Sequence, residues 1–425
     1  MQFFLVMVYV CRMKQIRMHT LPNGLCILHD HVPDSLVVHC GLLVGAGTRD
    51  ETAGREGLAH FVEHCLFKGT KKRRSYHILN RLEVVGGELN AYTTKEETCL
   101  HASVIPDYFE RALELIADLA FNSVFPDKEL EKEKDVITDE ISAYLDTPYE
   151  QIFDDFEGMV FKGHPLGHPI LGKETSIRAF RKKHLLEFIK TNYHPERMVF
   201  AVSGPMSFDQ AVKCCERHLS RRGRSSPKPD RKPVKRYQPD IADQQRNVSQ
   251  AHYIMGRPSY GLRSPQRFTM VLLNNLLGGP GMNSLLNLHI REKYGITYTI
   301  ETGYHTYTDN GIFHMYFATD GKNVERTLKL VEKEFSRLVD RPLSSRQLHQ
   351  YKEQLIGQIR LAQENRLSVL LSMAKSRLNL GRIIQLEEIT ASIREVTAPM
   401  LQKVAAEMLG PEGRTVLMYS PVSQV

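Results

Sequence analysis

The sequence predicts an α+β protein built as two homologous tandem α+β domains, each a mostly antiparallel sheet with helices packed on it, together enclosing a chamber. Three observations carry this expectation. Strand patterns precede helical patterns with little β-α-β alternation, which favours helices layered on one face of an antiparallel sheet. A basic, proline-containing stretch interrupts the chain near its middle. The segments on either side of that stretch match each other at one constant offset, the mark of an internal duplication.

The first elements follow from turn chemistry. IRMHTL and LCILHD flank Pro22-Asn23-Gly24, and SLVVHCGLLVGAG follows Pro33-Asp34. Asn and Gly tolerate positive φ, so the first pair reads as two strands joined by a tight turn. Helical periodicity then covers 57–67, 75–85, 107–122 and 127–145, with a strand pair through GELNAYT and ETCLHASVI. The stretch SRRGRSSPKPDRKPVKRYQP holds four prolines and no apolar run, so 221–240 reads as an extended, solvated linker. Residues 176–205 align without gaps on 392–421: Ser-Ile-Arg opens both, Leu185 meets Leu401, Pro195-Glu196 meets Pro411-Glu412, and Pro205 meets Pro421. The expected organisation is therefore an extension over 1–13, a first domain over 14–220, the linker, and a second domain over 241–425.

Composition narrows the function classes. At 425 residues a single core is oversized, and two domains of about 200 residues are expected. With 42% apolar and 25% charged residues the chain is neither collagen-like nor wholly disordered. Its net charge of +7 is spread out and it has no Trp, so no basic, aromatic-laced stripe argues for nucleic acid. Seven cysteines form no Cys-x-x-Cys pair, which fits a reduced compartment. The apolar run FFLVMVYVC is too short to cross a bilayer and no basic residue precedes it. A cytoplasmic protein with no membrane span is expected, with export left open.

The chemistry concentrates in His60-Phe61-Val62-Glu63-His64. Histidines at i and i+4 lie one above the other on a helix, so both imidazoles can reach one ion. Glu63 lies off that line and is free to act as a base toward a water the ion activates. Apolar Leu58, Ala59, Phe61, Val62, Leu66 and Phe67 bury the helix, against a reading of two solvated histidines. A third ligand is needed, and the helix over 127–145 offers Glu133 and Glu140, which share a side at 3–4 spacing. They border an expected apolar stripe of Val136, Ile137, Ile141, Tyr144 and Leu145, while Glu131, Asp135 and Asp139 face solvent. Cys65, Cys214 and Cys215 read as packing, Lys71 to Arg74 as a solvated turn, and Asn283 as a turn or cap residue.

HFVEHCLFKGT, GGELNAYTTKEET and EKEKDVITDEISAYLDTP together strongly resemble the pitrilysin or insulinase family of inverted-motif zinc peptidases, most of all its smaller bacterial and mitochondrial processing peptidase β-like members. The likeness runs from about Gln15 onward. It implies that His60, His64 and Glu140 bind one zinc per chain, that Glu63 is the general base, and that Glu133 supports a ligand from behind. It also implies that Asn90 and Ala91 touch the substrate strand. LLNNLLGGPGMNSLLNLHIREKYGITYTIETGY resembles the family's C-terminal domain, where an Arg and a Tyr seven apart reach the active site; here they are Arg291 and Tyr298. The second half lacks the histidine motif, and the Leu130–Leu348 match sets Gln358 at Glu140 and Tyr351 at Glu133, so one metal site is expected.

The implied activity is a zinc endopeptidase acting on extended peptides or unfolded segments that add to a sheet edge near Gly87 to Thr94. Partnership with a second copy or a related subunit is part of the resemblance. The alternatives are a non-catalytic subunit of the same fold and, more remotely, an unrelated zinc hydrolase of small molecules.

Overall fold

The computed structural model describes residues 16–220, 231–234 and 236–422. The 1–13 extension and linker residues 221–230 and 235 lie outside the described residues. The first half contributes strands β1 (Ile16–Thr20), β2 (Cys26–His31), β3 (Val38–Val44), β4 (Glu88–Thr93), β5 (Thr98–Val104) and β6 (Met198–Gly204). Its helices are α1 (Leu58–Leu66), α2 (Ser75–Glu83), α3 (Phe109–Asn122), α4 (Asp127–Leu145), α5 (Pro148–Val160), α6 (Glu174–Ala179), α7 (Lys182–Asn192) and α8 (Phe208–Leu219). The second half contributes β7 (Ile241–Arg246), β8 (Ala251–Ser259), β9 (Thr297–Thr306), β10 (Gly311–Thr319) and β11 (Thr415–Pro421). Its helices are α9 (Arg267–Gly278), α10 (Val324–Asp340), α11 (Ser345–Ala362), α12 (Arg366–Leu380), α13 (Leu386–Glu395) and α14 (Ala398–Leu409).

The duplication extends to topology. The first sheet runs β1-β2-β6-β3-β5-β4 and the second β7-β11-β8-β10-β9. In each, one late strand inserts beside the first strand of the shared pattern and pairs with it in parallel: β6 with β2, β11 with β7. The remaining pairs are antiparallel. β4 and β9 are therefore equivalent, and each is an outer edge. In the β1–β2 turn, Gly24 takes φ +94°, as the Pro-Asn-Gly reading requires.

Helices of the first half bury Leu58, Phe61, Val62, Leu113, Ile116 and Leu185 against Val38, Leu42 and Phe200 on one face of their sheet. At roughly 1.5–3 kcal/mol per buried large apolar side chain, such contacts dominate the stability of the layer. The sequence placed helices on one face of the sheet, and the structure adds a layer on the other face as well. Leu370, Leu371, Met373 and Ala374 of α12, from the second half, cover Cys26, Leu28, Leu43, Cys99, Val199 and Ala201. Reciprocally, Ile152, Phe156 and Val160 of α5 cover Ile254, Ile312, Tyr316, Leu417 and Tyr419 of the second sheet. Each half thus lends one helix to the other. Gly41 in β3 permits the close approach, since a Cβ there would lie 2.8 Å from Leu371 Cδ2.

Two further expectations are corrected. On α4 the buried line is Leu130, Glu133, Lys134 and Ile137, whereas Val136 and Leu145 are exposed. Ile141 still packs against the first core, but Val136 and Leu145 lie off the buried line and face solvent. Within the Lys71–Arg74 turn, Arg73 is tied to Glu114 (2.7 Å) and Asp118 (2.6 Å) rather than solvated.

Candidate metal centre

Helix α1 is started by two devices. Gly57 holds φ +90°, and a Cβ there would meet Leu171 O at 2.6 Å and Gly172 Cα at 2.7 Å, so only glycine fits. The Glu51 carboxylate accepts the Gly57 N–H (3.1 Å) and the Ala59 N–H (2.7 Å), satisfying amides the first helical turn leaves unpaired. Leu58, Phe61, Val62, Cys65 and Leu66 then anchor α1 in the core, confirming Cys65 as packing. With those positions spent inward, His60, Glu63 and His64 fall between β4 and α4, both of which contact α1.

The two imidazoles lie with ring centroids 4.5 Å apart. Glu140 reaches over from α4, its Oε2 3.6 Å from His64 Nε2 and 4.0 Å from His60 Nε2. One donor atom from each of the three residues lies within 4.8 Å of the others. A tetrahedral zinc with ligands at about 2.1 Å separates its donors by about 3.4 Å. The set of two imidazole nitrogens and one carboxylate oxygen therefore fits zinc in both chemistry and spacing. His64 Nδ1 lies 3.0 Å from Glu133 Oε1, which assigns its proton to Nδ1 and leaves Nε2 facing the group.

Electrostatics follow from depth. Burial, assisted by His64, holds the His60 pKa down to about 3, so this imidazole is neutral and able to ligate. Burial acts in the same direction on His64, but its hydrogen bond to Glu133 and the charges of Glu140 and Glu63 prevail and raise its pKa. Glu63 is only 9% exposed, its Oε2 has no hydrogen-bond partner among the described residues, and burial raises its pKa with help from Glu140. Such a carboxylate is poised to accept a proton.

Asn90 is exposed on β4 and Ala91 is half-buried against the first core. Among the described residues β4 pairs with β5 alone, so its second backbone edge is open to pairing, beside α1. Arg291 lies in a π-helical turn, Asn287–Glu292, a local widening often found at functional sites. Its guanidinium carbon is 5.2 Å from the ring centre of Tyr298, at the start of β9. Tyr298 is 79% exposed. No hydrogen bond or ion pair joins either residue to His60, His64 or Glu140 among the described residues, so the structure brings these two together but not onto the donor group.

Sequence reasoning missed Glu51 as the cap of α1 and Lys68, whose Nζ lies 2.6 Å from Glu133 Oε2. Lys68 is four residues beyond His64, and carrying the i, i+4 pattern past the helix end would have found it. In the second half, Asn283 and Gln354 exchange two hydrogen bonds, which ties the Gly-Gly-Pro-Gly loop to α11 rather than capping a helix.

A duplicated α+β chain whose first helix brings two histidines to a carboxylate of α4 defines the class of fold and of candidate metal site. Residues 27–174 match the family description "Insulinase (Peptidase family M16)", and residues 179–355 match "Peptidase M16 inactive domain". The chain is 31% identical over 413 residues to "Uncharacterized zinc protease YmxG" of Bacillus subtilis, covering 96% of this chain and 98% of that protein. It is 32% identical over 395 residues to "Uncharacterized zinc protease ML0855" of Mycobacterium leprae, covering 92% and 88%. Among solved structures, a protease from Helicobacter pylori superposes with TM-score 0.89 at 19% identity over 96% of this chain and 99% of that one. A chain of complex III2 from Candida albicans superposes with TM-score 0.82 at 20% identity, covering 95% and 96%. The chain belongs to peptidase family M16, the insulinase family. Among its described residues no helix is long and apolar enough to cross a membrane.

Proposed function

We propose that the chain is a zinc-dependent endopeptidase that cleaves extended peptides or unfolded segments, with one zinc held by His60, His64 and Glu140. The observation that carries this reading is the convergence of those three donors beside Glu63, a buried carboxylate with an unpartnered oxygen. A zinc ion bound there supplies Lewis acidity, polarising a carbonyl and acidifying water. Glu63 takes the proton of the attacking water and passes it to the departing amide nitrogen. Glu133 keeps the His64 ring in one tautomer. The free edge of β4, at Asn90 and Ala91, aligns the peptide backbone by main-chain hydrogen bonds, which give affinity with little sequence choice. Arg291 and Tyr298 donate to the substrate carbonyl oxygen when the halves close over the peptide.

The intact donor set argues against a purely structural subunit. A cytoplasmic location and pairing with a second copy or a related subunit belong to the same proposal. The test is Glu63→Gln in the full chain, with zinc content and cleavage of a fluorogenic peptide measured together. Zinc should stay at the wild-type level while turnover falls on the order of 10²–10⁴-fold. Retained turnover would refute the role of Glu63.

A further inference from the structure

We propose that Lys68 is a positioning residue for the metal centre, acting through Glu133 on His64; this rests on the zinc reading given above. Glu133 is buried, its side chain only 5% exposed, and its two oxygens are divided between two partners. Oε1 faces His64 Nδ1 at 3.0 Å and Oε2 takes the Lys68 ammonium at 2.6 Å. The chain Lys68–Glu133–His64 ends at the Nε2 that faces Glu140.

Lys68 is itself held. Its N–H bonds Cys65 O at 3.2 Å, continuing the end of α1. Gly69 follows at φ +156°, its carbonyl accepting the Val124 N–H at 3.1 Å. Gly69 and Thr70 form single β-bridges to Arg74 and Ser123, and the Thr70 hydroxyl donates to Asp118 at 2.7 Å. The stem of Lys68 therefore starts from a fixed backbone, and the ammonium returns over the helix end to a fixed carboxylate.

A buried carboxylate with one of two partners removed can turn about its last torsion, because only one hydrogen bond then sets its plane. The bond to His64 Nδ1 loses its geometry, and the ring loses the restraint that aims Nε2. Partners behind a ligand typically contribute 10- to 100-fold in metal affinity. A cation in this place also favours the α1 C-terminus through the helix dipole. That effect stabilises the helix without passing through Glu133, so the two roles are separable.

The experiment is zinc affinity of the full chain by competition with a chromogenic chelator, alongside thermal unfolding of the zinc-free protein. Lys68→Met should bind zinc about 10- to 100-fold more weakly, with Lys68→Arg within about threefold of wild type. In a Glu133→Gln background, adding Lys68→Met should change affinity by less than about threefold. Should Lys68→Met fail to fold, Lys68→Gln takes its place in both backgrounds. Wild-type affinity in Lys68→Met would overturn the proposal, as would an equal loss in the Glu133→Gln background. His60→Ala, run in parallel, isolates the underlying reading: if it keeps wild-type zinc affinity, the metal site itself is wrong, whatever Lys68 does.

Discussion

Arg49 of the first half and Asp309 of the second form a two-point ion pair, Nη1 to Oδ1 at 2.6 Å and Nη2 to Oδ2 at 2.8 Å. The same guanidinium donates to Glu96 Oε1 at 2.7 Å and to the Lys232 carbonyl at 2.8 Å. Glu96 in turn accepts the Thr308 N–H and hydroxyl at 2.9 and 2.7 Å. The turn joining β4 to β5 is thereby clamped to the equivalent turn joining β9 to β10, with the linker fastened over both. The two free sheet edges are held together at that end, and any opening between them must occur away from it.

Breaking this clamp should loosen the association of the halves. Asp309→Asn keeps the shape but removes the charge opposite Arg49, whose side chain is 1% exposed. Asp309 is partly solvated and Glu96 remains, so the expected loss is about 1–2 kcal/mol, below that of a fully buried pair. A lowered Tm in thermal unfolding checks it, and an unchanged Tm would show the clamp to be energetically idle.

Removal of the third ligand should cost the metal. Glu140→Gln leaves the two imidazoles but replaces the carboxylate by a neutral amide, a poor donor for a divalent ion. The expectation is one zinc per wild-type chain by elemental analysis after reconstitution, and substoichiometric zinc in the variant. Equal zinc in both proteins would remove Glu140 from the site.

Much of this was legible in residue spacing. The i, i+4 histidines and the shared register of 176–205 and 392–421 are local patterns, and the structure gives them one helix and two matching sheets. The exchange of α5 and α12 was not legible, because an apolar helical face shows that something must cover it but not which sheet will. Val136 and Leu145 show the same limit in reverse: periodicity placed them on a buried stripe, but the buried line of α4 runs through Leu130, Glu133, Lys134 and Ile137. Lys68 is one i, i+4 step past His64 but beyond the end of α1, where the pattern was not carried, and Arg49 finds its partner 260 residues away.

Tyr298 offers a test of the second half's part in chemistry. Its ring is 79% exposed, so Tyr298→Phe should leave fold and zinc unchanged. If the hydroxyl donates to the substrate carbonyl only as charge develops, kcat should fall by about 10- to 100-fold with KM little changed. Steady-state kinetics on a peptide decide it, and wild-type kcat would confine the second half to a scaffolding role.

Asp154, on the exchanged helix α5, should make stability depend on pH. Burial raises its pKa to about 6, with Glu157 pushing the same way and Lys95 opposing. A carboxyl whose folded pKa is raised contributes most below its unfolded value near 3.8 and loses that contribution as pH rises through 6. Replacing it by a neutral amide removes the cost of ionisation at neutral pH. Asp154→Asn should therefore be more stable than wild type at pH 7.5 by on the order of 1 kcal/mol, seen as a higher Tm, with the advantage shrinking toward pH 5. A constant difference across that range would show that Asp154 is not the titrating group.

The exchanged helices make the strongest prediction about the whole chain. The Leu130–Leu348 match, an offset of 218 residues, carries Pro148 to position 366, where α12 begins, so α5 and α12 are the same element of the two copies. Each leaves its own copy to cover the other copy's sheet. Either half alone would expose an apolar sheet face and carry an unpaired apolar helix, a state prone to aggregation. Leu370, 1% exposed, lies in the second half of the sequence but is buried on the first sheet. Leu370→Ala should cost about 2–5 kcal/mol, and Ile152→Ala, its reciprocal on the second sheet, should cost a similar amount. Residues 13–225 expressed alone should lack a cooperative unfolding transition, whereas co-expression with 240–425 should yield a one-to-one complex by size-exclusion chromatography. A soluble, cooperatively unfolding 13–225 fragment would show that the exchange decorates two self-sufficient domains rather than completing them.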